Sequence, residues 1–358
     1  MTVAEVEKIK LFFIIGRPRS GTTLLRTLLD AHPNVIVPTE CPFILQLYKR
    51  YNKISNPDKK TIDKIIIDLQ KVWLFNYIKI DVELLKKSLY EYSGNINYLT
   101  LCKIIILHYT AAFPKEKIIL VGDKNPVYAY KFKKTYKIFE NECKYIQIIR
   151  DPRDQIISLR NLKMEIPITS TVAKNWAYAD ITFNYIAKKN KDNFMTVKYE
   201  DLVTEPEKKL KEVNDFLDIP YNSDVLKFHE KKEEYKKQFS EKLLKNGHKS
   251  LLNPIKPDKI GLWKNKLTTK EKEIIELITE KQLRLYGYET IEIRKPFITY
   301  IQALPGILVH YISIILVKLS YLLPFNLFVK LSRDSLIGYI WFKYIIKNNQ
   351  YISKRLKN

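Results

Sequence analysis

Cysteine is scarce: Cys41, Cys102 and Cys143 are the three that occur in 358 residues. No two form a CxxC pair, and none has the histidine spacing of a zinc site. A disulfide scaffold and a structural zinc fold are therefore excluded. An odd, sparse set implies reduced thiols in a reducing compartment. Acids are also in deficit, 39 Asp and Glu against 62 Lys and Arg, which leaves a formal net charge of +23. A balance that basic draws polyanions, whether nucleotide, nucleic acid or anionic lipid. The lysines are spread along the chain, and no basic run is interleaved with aromatics, so no nucleic-acid partner is expected. Residues 1–10 are short and charged, and the apolar run from Leu11 is too short for a secretory leader. A cytoplasmic location is the expectation. No internal repeat and no low-complexity tract interrupts the chain.

What is present suits a folded core: 46% of residues are hydrophobic and 28% charged. The run Leu11-Phe12-Phe13-Ile14-Ile15 reads as a buried strand of a parallel sheet. Further strands are expected at Ile118–Val121, ended by Gly122, at Lys144–Ile149 and at Phe194–Lys198. Helices are expected over Thr22–Ala31, across much of 58–110, over 172–189, Pro206–Leu217 and Thr269–Tyr286. Asp151-Pro152 supplies an N-cap followed by proline at the first helical position. Strands alternating with helices imply an α/β fold, a P-loop-type parallel sheet flanked by helices.

Between the first strand and its helix lies GRPRSGTT, Gly16 to Thr23. Glycines let backbone approach an anion, and the free N–H groups of a helix start point at it. A kinase-type loop carries lysine where this chain has Thr22. The nearest cation is Arg19, whose planar fork can hold two oxygens of a phosphate or sulfate. A P-loop kinase using ATP and magnesium is the rival reading, with Asp123 at a strand end as its metal-binding aspartate. The missing lysine and the RDPRD motif weigh against it. No carboxylate cluster demands a metal, and none is expected.

PRSGTT followed by LLRTLLDAHPNV resembles the 5′-phosphosulfate loop of sulfotransferases that use 3′-phosphoadenosine-5′-phosphosulfate (PAPS). Within that superfamily it is most similar to the tyrosylprotein sulfotransferase branch and its bacterial relatives. IIRDPRDQIISL, Ile148 to Leu159, resembles the family's 3′-phosphate motif. VKYEDLV, Val197 to Val203, and IKP, Ile255 to Pro257, with the following IGLWKNKLT resemble two further segments around the nucleotide. The four motifs stand in order over residues 11–290.

The resemblance implies PAPS as co-substrate and an acceptor hydroxyl as partner. It assigns Arg17, Arg19, Ser20, Gly21, Thr22 and Thr23 to the 5′-phosphosulfate, and Arg150 and Ser158 to the 3′-phosphate. Tyr199, Lys256 and Trp263, with Lys264, are expected beside the nucleotide. Glu40 falls where the branch carries its catalytic glutamate, and Lys124 in GDKNP where a lysine reaches the leaving group. Arg19 joins them in catalysis. Thr39 stands where the branch has a second glutamate, and Lys245 where it has an assisting serine. His32, at a helix end before proline, is read as structural. The acceptor stays open: a glycan, lipid-linked sugar or small molecule is favoured, with peptide tyrosine as the alternative.

Composition changes near residue 295, so 1–295 is expected to form the sulfotransferase domain and 296–358 a helical appendage. Phe297 to Leu323 is almost wholly apolar, yet Gln302, Gly306, His310, Ser313 and Ser320 recur on one helical stripe. A second apolar run, Leu336 to Ile346 with Trp341 and Tyr344, precedes a basic end containing Arg355. Three fates are open for 297–346. It could lie in the interface of an anionic membrane, peripheral on the inner face. It could pack on the domain or on a second copy in a homodimer. It could also span the bilayer. The stripe favours the first.

Overall fold

The structure, a computed structural model, describes residues 2–92, 96–161, 168–231, 253–291 and 296–333. Its sheet has five strands, all parallel: β1 (Lys10–Ile15), β2 (Val35–Ile36), β3 (Leu120–Lys124), β4 (Cys143–Ile149) and β5 (Phe194–Lys198). Their order across the sheet is β2-β3-β1-β4-β5. The chain therefore builds one side from β1 and crosses back to build the other. In such sheets ligands bind beyond the carboxyl ends of the strands, at the switch point, here the end of β1.

Helices α1 (Val3–Lys8), α2 (Thr22–Asp30), α3 (Phe43–Tyr51), α4 (Lys59–Gln70), α5 (Val82–Glu91) and α6 (Tyr98–Leu107) precede β3. Next come α7 (Tyr128–Phe139) after β3, and α8 (Pro152–Asn161) and α9 (Thr169–Ala187) after β4. After β5 come α10 (Tyr199–Thr204), α11 (Pro206–Leu217), α12 (Trp263–Lys266), α13 (Thr269–Leu285), α14 (Phe297–Ser320) and α15 (Phe325–Arg333).

β1 is buried at every residue after Lys10, as a strand covered on both faces must be. Its side chains alternate between two cores. Leu11, Phe13 and Ile15 enter one, Phe12 and Ile14 the other. Phe13 stacks on Tyr145 of β4 at 5.6 Å between ring centroids and meets Tyr128 edge-on at 5.6 Å. Burying one such ring contributes about 1.5–3 kcal/mol.

Gly122 does not end its strand, contrary to the sequence reading. β3 continues through it, and the register pairs Phe12 with Gly122, Phe13 with Asp123 and Ile14 with Lys124. A Cβ at position 122 would collide with the Phe12 ring, so the glycine makes room for a neighbouring side chain rather than a turn. The extra length carries Lys124 to the carboxyl edge of the sheet.

The cap expected at Asp151 is present, and α13 carries one of its own. The Asp151 carboxylate accepts from the Arg153 N–H at 2.9 Å, and Thr268 with Glu271 forms a capping box on α13. The boundary expected at 295 falls in residues 292–295, outside the described residues. Beyond it, α14 packs on α9 and α13 rather than standing apart. Lys245, the run Leu336–Ile346 with Trp341 and Tyr344, and Arg355 also lie outside the described residues.

Candidate active site at the carboxyl ends of the strands

Four strands deliver the site. The loop Gly16–Thr23 follows β1, Lys124 ends β3, Arg150 follows β4, and Tyr199 follows β5. These four segments are far apart in sequence, and parallel pairing brings the strand ends that carry them to one edge.

The loop is tight. Ser20 is buried, and its hydroxyl donates to the Arg17 carbonyl at 2.7 Å. Arg19 adopts φ +69°, a left-handed conformation that costs a residue with a Cβ about 1–2 kcal/mol. Gly21 takes φ +99° as the N-cap of α2, and a Cβ there would run into the Tyr199 ring. Thr22 is buried as the first residue of α2, with Thr23 beside it. The α2 N–H groups thus open onto the loop.

Arg17 is turned the other way. It is buried, donates to the Val172 carbonyl of α9 at 2.8 Å, and lies 5.3 Å from the Tyr130 ring centroid. It ties the loop to α9 in this arrangement.

A second cationic group stands beside the loop. Arg19 Nε donates to Ser158 Oγ at 3.0 Å. Arg150 donates to the carbonyls of Arg19 at 3.2 Å and Lys259 at 2.7 Å, and its guanidinium lies 4.6 Å from the Tyr199 ring centroid. Its Nε is buried and finds no acceptor among the described residues. A buried donor left unsatisfied costs about 1–3 kcal/mol, so an anion there would be well held. Burial raises the Tyr199 pKa, with Arg150 pulling the other way. The neighbouring acids are otherwise engaged. Asp151 pairs with fully buried Arg153 at 2.7 Å, and Glu276 takes the same arginine at 2.9 Å. Asp154 accepts from the N–H groups of Gly261 at 2.7 Å and Trp263 at 2.9 Å.

Glu40 and Lys124 meet on the opposite side of the loop. Lys124 Nζ donates to Glu40 Oε1 at 2.6 Å and to Thr23 Oγ1 at 3.3 Å. The lysine side chain is 2% exposed and the glutamate 27%, so the carboxylate is the partner open to an incoming molecule. Burial lowers the Lys124 pKa, and Glu40 opposes that shift. Asp123 points into the core instead, bonded to Tyr128 and to Asn125 Nδ2 at 3.0 Å. Burial raises its pKa to about 7. An aspartate so engaged is poorly disposed to hold magnesium at the loop.

Three other residues sit differently from the sequence expectation. Lys256 is exposed and has no hydrogen bond or ion pair to the cluster among the described residues. Lys259, three residues on, is the one whose backbone carbonyl braces Arg150; burial lowers its pKa, with Asp258 opposing and Arg19 and Arg150 adding to the effect. Trp263 is buried in a core with Ile156 and Leu159, and the Arg153 guanidinium lies 3.6 Å from its ring centroid. Its ring serves packing between α8 and α13. Lys264 pairs with Glu289 at 2.7 Å. His32 is structural as read: its ring accepts from the Asn34 N–H at 3.1 Å and contacts the Pro220 carbonyl at 2.9 Å. Thr39 donates to the Tyr77 carbonyl at 2.9 Å.

Comparison with known proteins accords with this geometry. Residues 12–223 match the model of a family described as Sulfotransferase family. The chain is 28% identical over 229 residues to Protein-tyrosine sulfotransferase of Drosophila melanogaster, covering 62% of this chain and 40% of that protein. It is 26% identical over 287 residues to Protein-tyrosine sulfotransferase 1 of Danio rerio, covering 78% and 72%. A third relative, Protein-tyrosine sulfotransferase A of Caenorhabditis elegans, is 28% identical, with 51% of its length covered. The chain thus spans about half the length of the first of these relatives and of the third. Among solved structures, the sulfotransferase domain from the Synechococcus PCC 7002 olefin synthase is 21% identical, with a TM-score of 0.53 over 79% of this chain and 97% of that one. That likeness shows the fold.

Proposed function

The chain belongs to the sulfotransferase family, and from that premise we propose that it moves a sulfuryl group from PAPS to an acceptor hydroxyl. The observation that carries the reading is the pair of anion-holding groups at one sheet edge. One is the loop with the α2 N–H groups; the other is Arg150 with its unsatisfied buried Nε, beside Arg19 and Ser158. PAPS carries two anionic groups, a 5′-phosphosulfate and a 3′-phosphate, and ATP lacks the second.

The donor supplies an activated sulfuryl group whose departure leaves 3′,5′-ADP. The chain's own groups do the rest. Glu40, open to solvent on one side, takes the proton of the attacking hydroxyl. Lys124, already bonded to Thr23 of the loop, turns its ammonium toward the bridging oxygen and offsets charge that grows as the bond breaks. Arg19, Thr22 and Thr23 hold the transferring end, and Arg150 with Ser158 the other end. The Tyr199 ring packs against Gly21 and Arg150 and bounds the nucleotide.

For the acceptor we favour a glycan, lipid-linked sugar or small molecule. Peptide tyrosine is the second reading, supported by the names of the relatives. Binding of 3′,5′-ADP without magnesium, together with transfer of labelled sulfate from PAPS into an extract, tests the proposal. A requirement for ATP with magnesium in either assay overturns it.

A further inference from the structure

Helix α14 is amphipathic with its faces reversed from what a soluble domain would show. The polar stripe faces inward. Thr171 Oγ1 of α9 donates to the Gly306 carbonyl at 3.0 Å, and His310 Nδ1 lies 2.7 Å from Asn175 Oδ1. A Cβ on Gly306 would collide with Ser170, so the glycine lets the two backbones approach closely. The apolar side faces out: Leu304, Leu308, Tyr311, Ile312, Ile315 and Leu319 are all exposed. The ends are barer still, Phe297 at 79% and Leu322 at 81%. A contiguous apolar face of this length on a folded domain marks an interaction surface.

A cationic cluster adjoins its carboxyl end. Lys134 Nζ lies 3.2 Å and Lys131 Nζ 5.1 Å from the Tyr321 ring centroid, and Lys49 Nζ 5.1 Å from that of Phe328. Lys49 also donates to the carbonyls of Tyr321 and Leu323. No carboxylate pairs with Lys131 or Lys134 among the described residues. Burial pushes both down to about 8, and the crowding of like charges adds to the shift at Lys134. Lys318 is exposed on the last turn of α14.

We infer that the outer face of α14 lies in the headgroup layer of an anionic bilayer, with exposed Lys318 and half-buried Lys134 nearest the lipid phosphates. Three occupants compete for such a face, and charge separates them. A second copy would bring the same lysines against each other on a chain of net charge +23. A bilayer span would draw α9 and α13, which cover one side of α14 and belong to the sheet domain, into the hydrocarbon with it. An anionic surface satisfies the apolar face and the cations together.

The proposal does not depend on the donor assignment, because vesicle binding is read without nucleotide. The full chain is floated with vesicles of phosphatidylcholine alone and of phosphatidylcholine mixed with phosphatidylglycerol. Wild type should float with the mixed vesicles and less with the neutral ones. Leu308→Glu/Ile312→Glu/Ile315→Glu, all at exposed positions, should stay behind with both, at unchanged melting temperature. Lys134→Gln/Lys318→Gln should weaken partition into mixed vesicles by about five-fold per charge removed. If that variant does not fold, release of wild type by added salt reads the same contribution. Wild type that ignores mixed vesicles, or a triple glutamate variant that still floats, overturns the inference. So does a vesicle-free dimer that the triple variant turns into monomer, since a second copy would then cover the face.

Discussion

Lys124 is bonded to Glu40 and Thr23 at once, so the proposed base and the loop after β1 are linked through one ammonium. Glu40→Gln keeps the shape and a hydrogen-bond acceptor but removes the base. Its kcat should fall by about 10²–10⁴ while 3′,5′-ADP binds as before. Labelled-sulfate transfer and calorimetry measure the two, and unchanged turnover would eliminate Glu40. Arg150→Ala removes a charged donor from the second anion group. Affinity for 3′,5′-ADP should drop about ten- to hundred-fold, with AMP, which has no 3′-phosphate, losing far less. Equal losses for both ligands would mean that Arg150 acts on the loop and not on the 3′-phosphate. At this scale the motifs that carry the family resemblance named Arg19, Arg150 and Glu40, and the structure brings all three to the carboxyl edge of the sheet. The sequence failed among the lysines. The segment Lys256 to Lys259 holds two, and spacing alone cannot say which of them lies against Arg150.

At the scale of elements, the segment before α12 is held by α8. Asp154 takes two backbone N–H groups, at Gly261 and Trp263, and the chain just ahead of them offers the Lys259 carbonyl to Arg150. Asp154→Ala leaves those N–H groups unpaired and should destabilise the protein by about 1–3 kcal/mol. Amide exchange at Gly261 and Trp263 should accelerate, and 3′,5′-ADP affinity should fall although Asp154 touches no ligand in this scheme. Normal protection at both amides in the variant would refute the strap. Elements with strong periodicity or caps were readable: β1, α2, α11 and α13 lie close to where they were expected. The two-residue β2 and the lysine-rich α7 were not, because one is too short to show a period and the other dilutes its apolar face with charge.

For the whole molecule, charge sets the approach of ligands. With 62 basic against 39 acidic residues and three cations at the strand ends, Arg19, Arg150 and Lys124, the field should steer a polyanionic nucleotide. The association rate of 3′,5′-ADP should fall by about ten-fold or more as ionic strength rises from millimolar to physiological, with dissociation much less affected. Stopped-flow binding across a salt series reads this. A rate independent of salt would show that the positive charge is too dispersed to act at the site.

The amino-acid sequence by itself determined the parallel α/β fold and the tight glycine loop between β1 and α2, and its short motifs named residues that meet at one sheet edge. These depend on local alternation, on glycine at a tight turn and on short motifs, all legible one segment at a time. Only the tertiary structure decided that Lys259 and not Lys256 braces Arg150 across 109 positions of chain, that Trp263 packs on Arg153, and that α14 turns its polar stripe inward. In each case the outcome depends on which distant surface a side chain meets. For α14 the hydroxyls and amides of α9 offered hydrogen bonds to the polar stripe, and the apolar residues were left on the outside.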